Sequence, residues 1–142
     1  MALAEFRYLT RFRVPFHDVD MLQHANHGAY IVWAENARSG YFDEILGEAL
    51  NGTNGIILAR LEFDYERPLD YREEVAVGCR IGRLGRKSFD FVYEIWSEKH
   101  QKRAARGLTT MVAFDYEAKN SIPIPERWRE LVLAYEVVAP EV

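Results

Sequence analysis

"HDVDMLQHANHGAYIVWAENAR", residues 17–38, is where one hydrophobic period stops and another begins. Its first twelve residues hold three of the chain's four histidines and two aspartates; an apolar run follows at once. From Tyr30, the residues Trp33, Ala34, Ala37, Tyr41 and Ile45 recur at helical spacing, and Ile31, Val32 and Phe42 widen the stripe. That period predicts an amphipathic helix. Asn26 fits its N-cap, because a side-chain carbonyl there can accept from an orphan amide of the first turn. Gly47 fits its stop.

Working outward, the segments on either side carry a period of two. Phe6, Tyr8, Phe12, Val14 and Phe16 share one parity, with Arg7, Arg11 and Arg13 on the other, so a half-buried strand is expected over 6–16. After the connector "LNGTNG", four more strands are expected. Ile57, Ala59, Leu61, Phe63 and Tyr65 alternate in the first, which Pro68 ends. Val75, Val77, Cys79 and Ile81 share a face of the next, and Phe89, Phe91, Tyr93 and Ile95 lie opposite Asp90 and Glu94 in the third. Leu108, Thr110, Val112 and Phe114 fall on one side of a less regular fourth. Trp128, Leu131, Val132 and Tyr135, introduced by Pro123 and Pro125, predict a short last helix.

Helices do not alternate with strands, which argues against a doubly wound parallel sheet. The expected class is α+β: a long, curved, mostly antiparallel sheet of about five strands around one apolar helix. Such a sheet has an edge to be covered or paired, so a homo-oligomer, dimer or tetramer, is expected.

Composition narrows the function classes. At 142 residues, with 49% hydrophobic and 13% aromatic residues, the chain reads as one packed domain over 1–142. A net charge of −4 gives no footprint for nucleic-acid binding. The lone Cys79 rules out an intrachain disulfide and a multi-cysteine zinc framework. The longest apolar run, "AYIVWA", is far short of the ~20 residues that span a bilayer, so no membrane segment is expected. "MALAEFRYLTRFR" does not read as a signal peptide, and a cytoplasmic location is the expectation.

The stretch extended by Phe16 resembles the signature of hotdog-fold thioesterases of the 4-hydroxybenzoyl-CoA thioesterase type. The matching positions are Asp18 and Asp20, His24 and Asn26, Tyr30, Glu35 and Ala37-Arg38. "DYERPLDYREEVAV", "RLGRKSFDFVYEI" and "AARGLTTMVAFDYEAKNSIPIP" follow in the family's order, so the likeness runs over roughly residues 10–130. It implies a hotdog fold, hydrolysis of acyl-CoA without a cofactor, and active sites built at a subunit interface. The resemblance puts the catalytic carboxylate at Asp20 and the carbonyl-polarising amide at His27, with Gly28 a second candidate. It assigns the coenzyme A nucleotide to the basic turn of Arg86, Lys87 and Ser88, near Arg83; a solvated hairpin charge run is the plainer reading. Where many relatives have a glycine-rich apolar loop, this chain has the more polar "MLQHANHG".

The chemistry agrees with those positions. Thioester hydrolysis needs an attacking oxygen and a site for negative charge on the carbonyl oxygen. A carboxylate at Asp20 can attack directly or deprotonate water. A helix start near Asn26 offers unpaired amides and the positive end of a dipole. Each residue also has a plainer reading. Asp20 and Asp18 suit turn capping, His24 a hydrogen-bonded loop position, Asn26 an N-cap rather than a water holder, and Glu35 an ion pair with an arginine. Tyr30 and Glu35 are candidates for substrate contact; Trp33, Phe42 and Tyr65 could line an acyl pocket or serve the core. His17 and His100 read as structural. The histidine spacing does not match a helical His-x-x-x-His metal pair, and no metal is expected. A hotdog hydratase acting on an enoyl thioester, or a non-catalytic acyl-CoA binding module, are the competing functions.

Overall fold

The computed structural model describes residues 2–47 and 53–142; residues 50–52 of the "LNGTNG" connector fall outside it. The strands are β1 (Tyr8–Arg13), β2 (Asn54–Tyr65), β3 (Glu74–Leu84), β4 (Ser88–Ser97), β5 (Lys102–Asp115) and the two-residue β6 (Asn120–Ser121). The helices are α1 (His27–Tyr41) and α2 (Glu126–Tyr135). The strands form one sheet in the order β1-β3-β4-β5-β2, with β6 on β5, and every pairing is antiparallel. The sheet curls around α1, as the hotdog expectation requires.

The alternation explains the inner face. Val75, Val77, Cys79 and Ile81 of β3 and Phe89, Phe91, Tyr93 and Ile95 of β4 are fully buried against Trp33, Ala34, Ala37 and Tyr41 of α1. Curvature has two sources. Register breaks at Leu58/Arg60, Ile81/Arg83 and Ile95/Trp96 bend and twist their strands. In addition, β5 turns its small residues inward, Ala105, Gly107 and Ala113 among them, which lets the sheet close on its contents. Gly107 is needed for close approach: a Cβ there would stand 2.5 Å from the Phe63 ring.

Two expectations are corrected and two are refined. β1 is shorter than 6–16. Phe6 sits on the outer face with Leu3, Ala76 and Trp96, and Phe16 is 77% exposed. Pro15 has no amide to give a ladder, and the chain turns through a 3-10 segment at Phe16–Asp18. In β2 the bulge moves Ile57 to the face opposite Leu61, because one extra residue reverses parity. In β5, Leu108, Thr110, Val112 and Phe114 do share a face, but it is the outer one. Finally, α1 runs on through a wider π-helical turn, Phe42–Leu46, and Gly47 keeps a right-handed φ of −53° rather than a left-handed cap. Val32 is left exposed. Among the described residues no helix is long and apolar enough to cross a membrane.

Candidate active site

Residues 19–25 form a tight polar hairpin ahead of α1. Val19 bridges Ala25, the Asp20 amide donates to the His24 carbonyl at 3.2 Å, and the Gln23 amide donates to the Asp20 carbonyl at 3.0 Å. Gln23 takes a left-handed φ of 70° to close the turn. Asp20 Oδ1 accepts from the Leu22 amide at 2.9 Å, so this residue does cap a turn, and its side chain stays accessible. Asp18 faces the other way: its Oδ2 accepts from Trp33 Nε1 at 2.9 Å, and its carbonyl accepts from the Asn26 amide at 2.8 Å. Those two bonds clamp the hairpin to the first turns of α1.

Asn26 is the N-cap that the sequence suggests. In extended conformation, its Oδ1 accepts from the amides of Gly28 at 2.8 Å and Ala29 at 3.2 Å. The Gly28 amide is thereby engaged. The His27 amide has no acceptor among the described residues and remains the open donor at the helix start. The His27 carbonyl accepts from the Tyr65 hydroxyl at 2.8 Å, which ties the helix start to edge strand β2.

Beside it lies a depression of about 340 Å3 lined by Ala25, His27, Tyr30, Tyr65 and Arg67. Tyr30 stacks on Trp33, donates to the Arg67 carbonyl at 3.2 Å and is almost wholly buried. Burial, then the charge of Glu73, pushes its hydroxyl pKa up to about 12. It is therefore a neutral wall at ordinary pH. His24 is half exposed, and its Nδ1 lies 3.0 Å from Asp70 Oδ1 in the turn before β3. That contact engages Nδ1. Asp70 carries no local sequence signal; only the fold brings it to the hairpin.

The other candidates lie elsewhere in the protomer. Glu35 is 66% exposed and 3.8 Å from Arg38, the ion pair its plainer reading anticipated. Arg86, Lys87 and Ser88 lie at the β3–β4 turn. There the Lys87 ammonium donates to Ser121 Oγ at 3.3 Å and the Arg86 carbonyl accepts from the Ile124 amide at 2.9 Å. Arg83 forks onto Asp90 at 2.8 and 3.1 Å and donates to Ser88 Oγ at 3.0 Å, so it is already committed. Burial raises the Asp90 pKa, but hydrogen bonds from Arg83 and Thr110 outweigh it and hold the carboxyl low. Ser88 pairs with Val112 and Tyr65 with Ala105, about 23 Å apart along β5. The basic turn and the helix start therefore stand at opposite ends of one protomer. Arg103 and Arg106 pair with Glu66 and Asp64 near the Tyr65 end. Among the described residues no three His, Cys, Asp or Glu side chains converge as a metal site.

The sequence model of the thioesterase-like superfamily matches residues 14–132. A thioesterase from Thermus thermophilus, solved with coenzyme A and zinc, is 34% identical, covering 93% of this chain and 96% of its own, with a TM-score of 0.80. Two others share the fold at lower identity. A thioesterase superfamily protein from Jannaschia sp. CCS1 is 21% identical, covering 96% of this chain and 87% of its own, at TM-score 0.86. A 1,4-dihydroxy-2-naphthoyl-CoA thioesterase from Synechocystis is 16% identical, covering 88% and 94%, at 0.76. No curated protein sequence matches significantly. The family match across most of the chain, the curled sheet around α1 and the carboxylate hairpin before an open helix start converge: the chain belongs to the thioesterase-like superfamily and is a hotdog-fold thioester hydrolase.

Proposed function

We propose that the protein hydrolyses a small or medium acyl- or aryl-CoA to the free acid and coenzyme A. The observation that carries this reading is the unengaged His27 amide at the start of α1, directly after a hairpin bearing an accessible Asp20. Asp20 is the reacting carboxylate. As general base it takes a proton from water while the water oxygen bonds to the thioester carbon. As nucleophile its own oxygen makes that bond, giving a mixed anhydride that water then opens. In both courses the carbonyl oxygen takes up negative charge at the His27 amide, and the C–S bond breaks to release the coenzyme A thiolate. An amide held at a helix start is already oriented for this charge and needs no reorganisation. Gly28 contributes the missing Cβ beside that donor, and Asn26 holds the turn that aims it.

The same reading pairs two protomers through β2. This strand is one of the two sheet edges, and Ile57, Leu58, Leu61 and Tyr65 on it are 38–49% exposed. An unpaired twelve-residue edge with exposed apolar side chains is a template for a second copy. Antiparallel pairing about a two-fold axis brings residues 54–56 of one protomer to the residue-65 end of the other. The turn bearing Arg86, Lys87 and Ser88 then lies on the side of the second protomer's helix start. There its guanidinium and ammonium groups can meet the coenzyme A phosphates.

Replacing Asp20 by Asn tests the assignment, because the amide keeps the Oδ1 that accepts from Leu22. Thiol release from acyl-CoA is expected to fall by about 10²–10⁴-fold with an unchanged fold. A D20N enzyme with wild-type turnover removes Asp20 from the chemistry.

A further inference from the structure

Arg38 belongs to the helix motif, yet its charge lacks a partner to match its burial. Its side chain is only 13% exposed, three turns into α1 and directed at the sheet. Nη1 donates to the Tyr93 hydroxyl at 3.2 Å, and that hydroxyl shares a 2.6 Å hydrogen bond with Thr109 Oγ1. Both partners are neutral. The nearest carboxylate, Glu35, stands 3.8 Å away and is 66% exposed, so water screens most of that attraction. A largely buried guanidinium with five donors and one neutral hydrogen bond leaves most of its capacity unused.

The unused donors have somewhere to point. No Arg38 nitrogen is both sealed from solvent and unpartnered among the described residues, and the side chain lines a depression of about 320 Å3 with Glu35, Ser39, Phe42, Ile56 and Tyr116. This depression lies between α1 and the Asn54 end of β2, so in the proposed pairing it adjoins the second protomer's helix start. Phe42, Ile56 and Tyr116 supply apolar walls, and Arg38 a positive group fixed from behind by Tyr93.

Resting on the thioesterase reading, we propose that Arg38 is a specificity residue whose guanidinium binds a carboxylate at the far end of the acyl group. The preferred substrates are then coenzyme A thioesters of dicarboxylic acids. A planar fork held at the end of an apolar slot suits a carboxylate, which accepts two parallel N–H bonds. A methyl-ended acyl chain of the same length leaves that charge unpaired.

Free-thiol release is measured with coenzyme A monothioesters of linear dicarboxylic acids, from succinyl to decanedioyl, against monocarboxylic acyl-CoAs of equal carbon number. At one or more lengths the wild type is expected to favour the carboxylate-ended substrate by about tenfold or more in kcat/KM. Arg38→Met lowers that ratio by about tenfold or more, and Arg38→Lys restores part of it. Tyr93→Phe, which removes the backing hydrogen bond and keeps the ring, lowers the ratio without touching the charge. A wild type that turns over acyl-CoA but favours the methyl-ended substrate at every length overturns this proposal alone. So does a ratio that R38M and Y93F leave unchanged. No thiol release from any thioester overturns the thioesterase reading and this inference with it.

Discussion

Asn26 commits one side-chain carbonyl to two amides, Gly28 and Ala29, and so leaves the His27 amide as the open donor on which the proposed oxyanion site rests. Asn26→Ala is expected to cost about 1 kcal/mol of stability, the usual loss for an N-cap, and to lower turnover as the helix start loosens. Asn26→Asp separates the two effects. The carboxylate caps as well as the amide, so the denaturation midpoint stays near wild type. Its negative charge, next to the open His27 amide, opposes the oxyanion, and kcat falls by about tenfold or more. Equal kcat in the wild type and N26D places the oxyanion elsewhere. At this scale the sequence was informative, because capping is local: Asn26 and Asp20 lie within three residues of the amides they serve. His24 was not legible, since its partner Asp70 comes from another turn.

Glu136 joins three elements. It caps the end of α2, and its Oε2 accepts from the Tyr41 hydroxyl of α1 at 2.6 Å and the Ile81 amide of β3 at 2.8 Å. Burial raises its pKa, and the two hydrogen bonds offset this only in part. The folded chain therefore holds this proton more tightly than the unfolded chain does. Stability from Glu136 is greatest below the unfolded value and declines as pH rises through the raised folded value. Glu136→Gln does not titrate, so its stability relative to wild type should climb between about pH 4 and pH 8, whatever the fixed cost of the amide. Urea midpoints at both pH values check this, and a relative stability that falls with pH contradicts it. Element types were legible because alternation and helical spacing are intrinsic to each segment. Which face of β5 turned inward was not, for both parities carry apolar residues and only the need to seat Phe63 and α1 selects the small ones.

For the whole molecule, the proposed site needs two chains. The open amide lies at one end of the protomer, whereas the basic turn and the Arg38 depression lie toward the other. Leu58→Lys together with Leu61→Lys puts two charges on the exposed β2 edge and should halve the mass measured by light scattering. Thiol release should fall by about tenfold or more with it, because each site loses its other half. A monomeric variant with full activity would show that one protomer suffices.

By itself the sequence determined the strand, helix, four-strand, helix order, the N-cap and the carboxylate before it. These depend on period and on contacts within a few residues, which a chain carries wherever it folds. The tertiary structure decided what depends on distant segments meeting: the Asp70 partner of His24, the Tyr65 anchor on His27, the bulge that moves Ile57 to the other face, and the confinement of Arg38 behind Tyr93. No local pattern encodes these, because each is fixed by sheet register and curvature, and those follow only when the whole sheet closes on its helix.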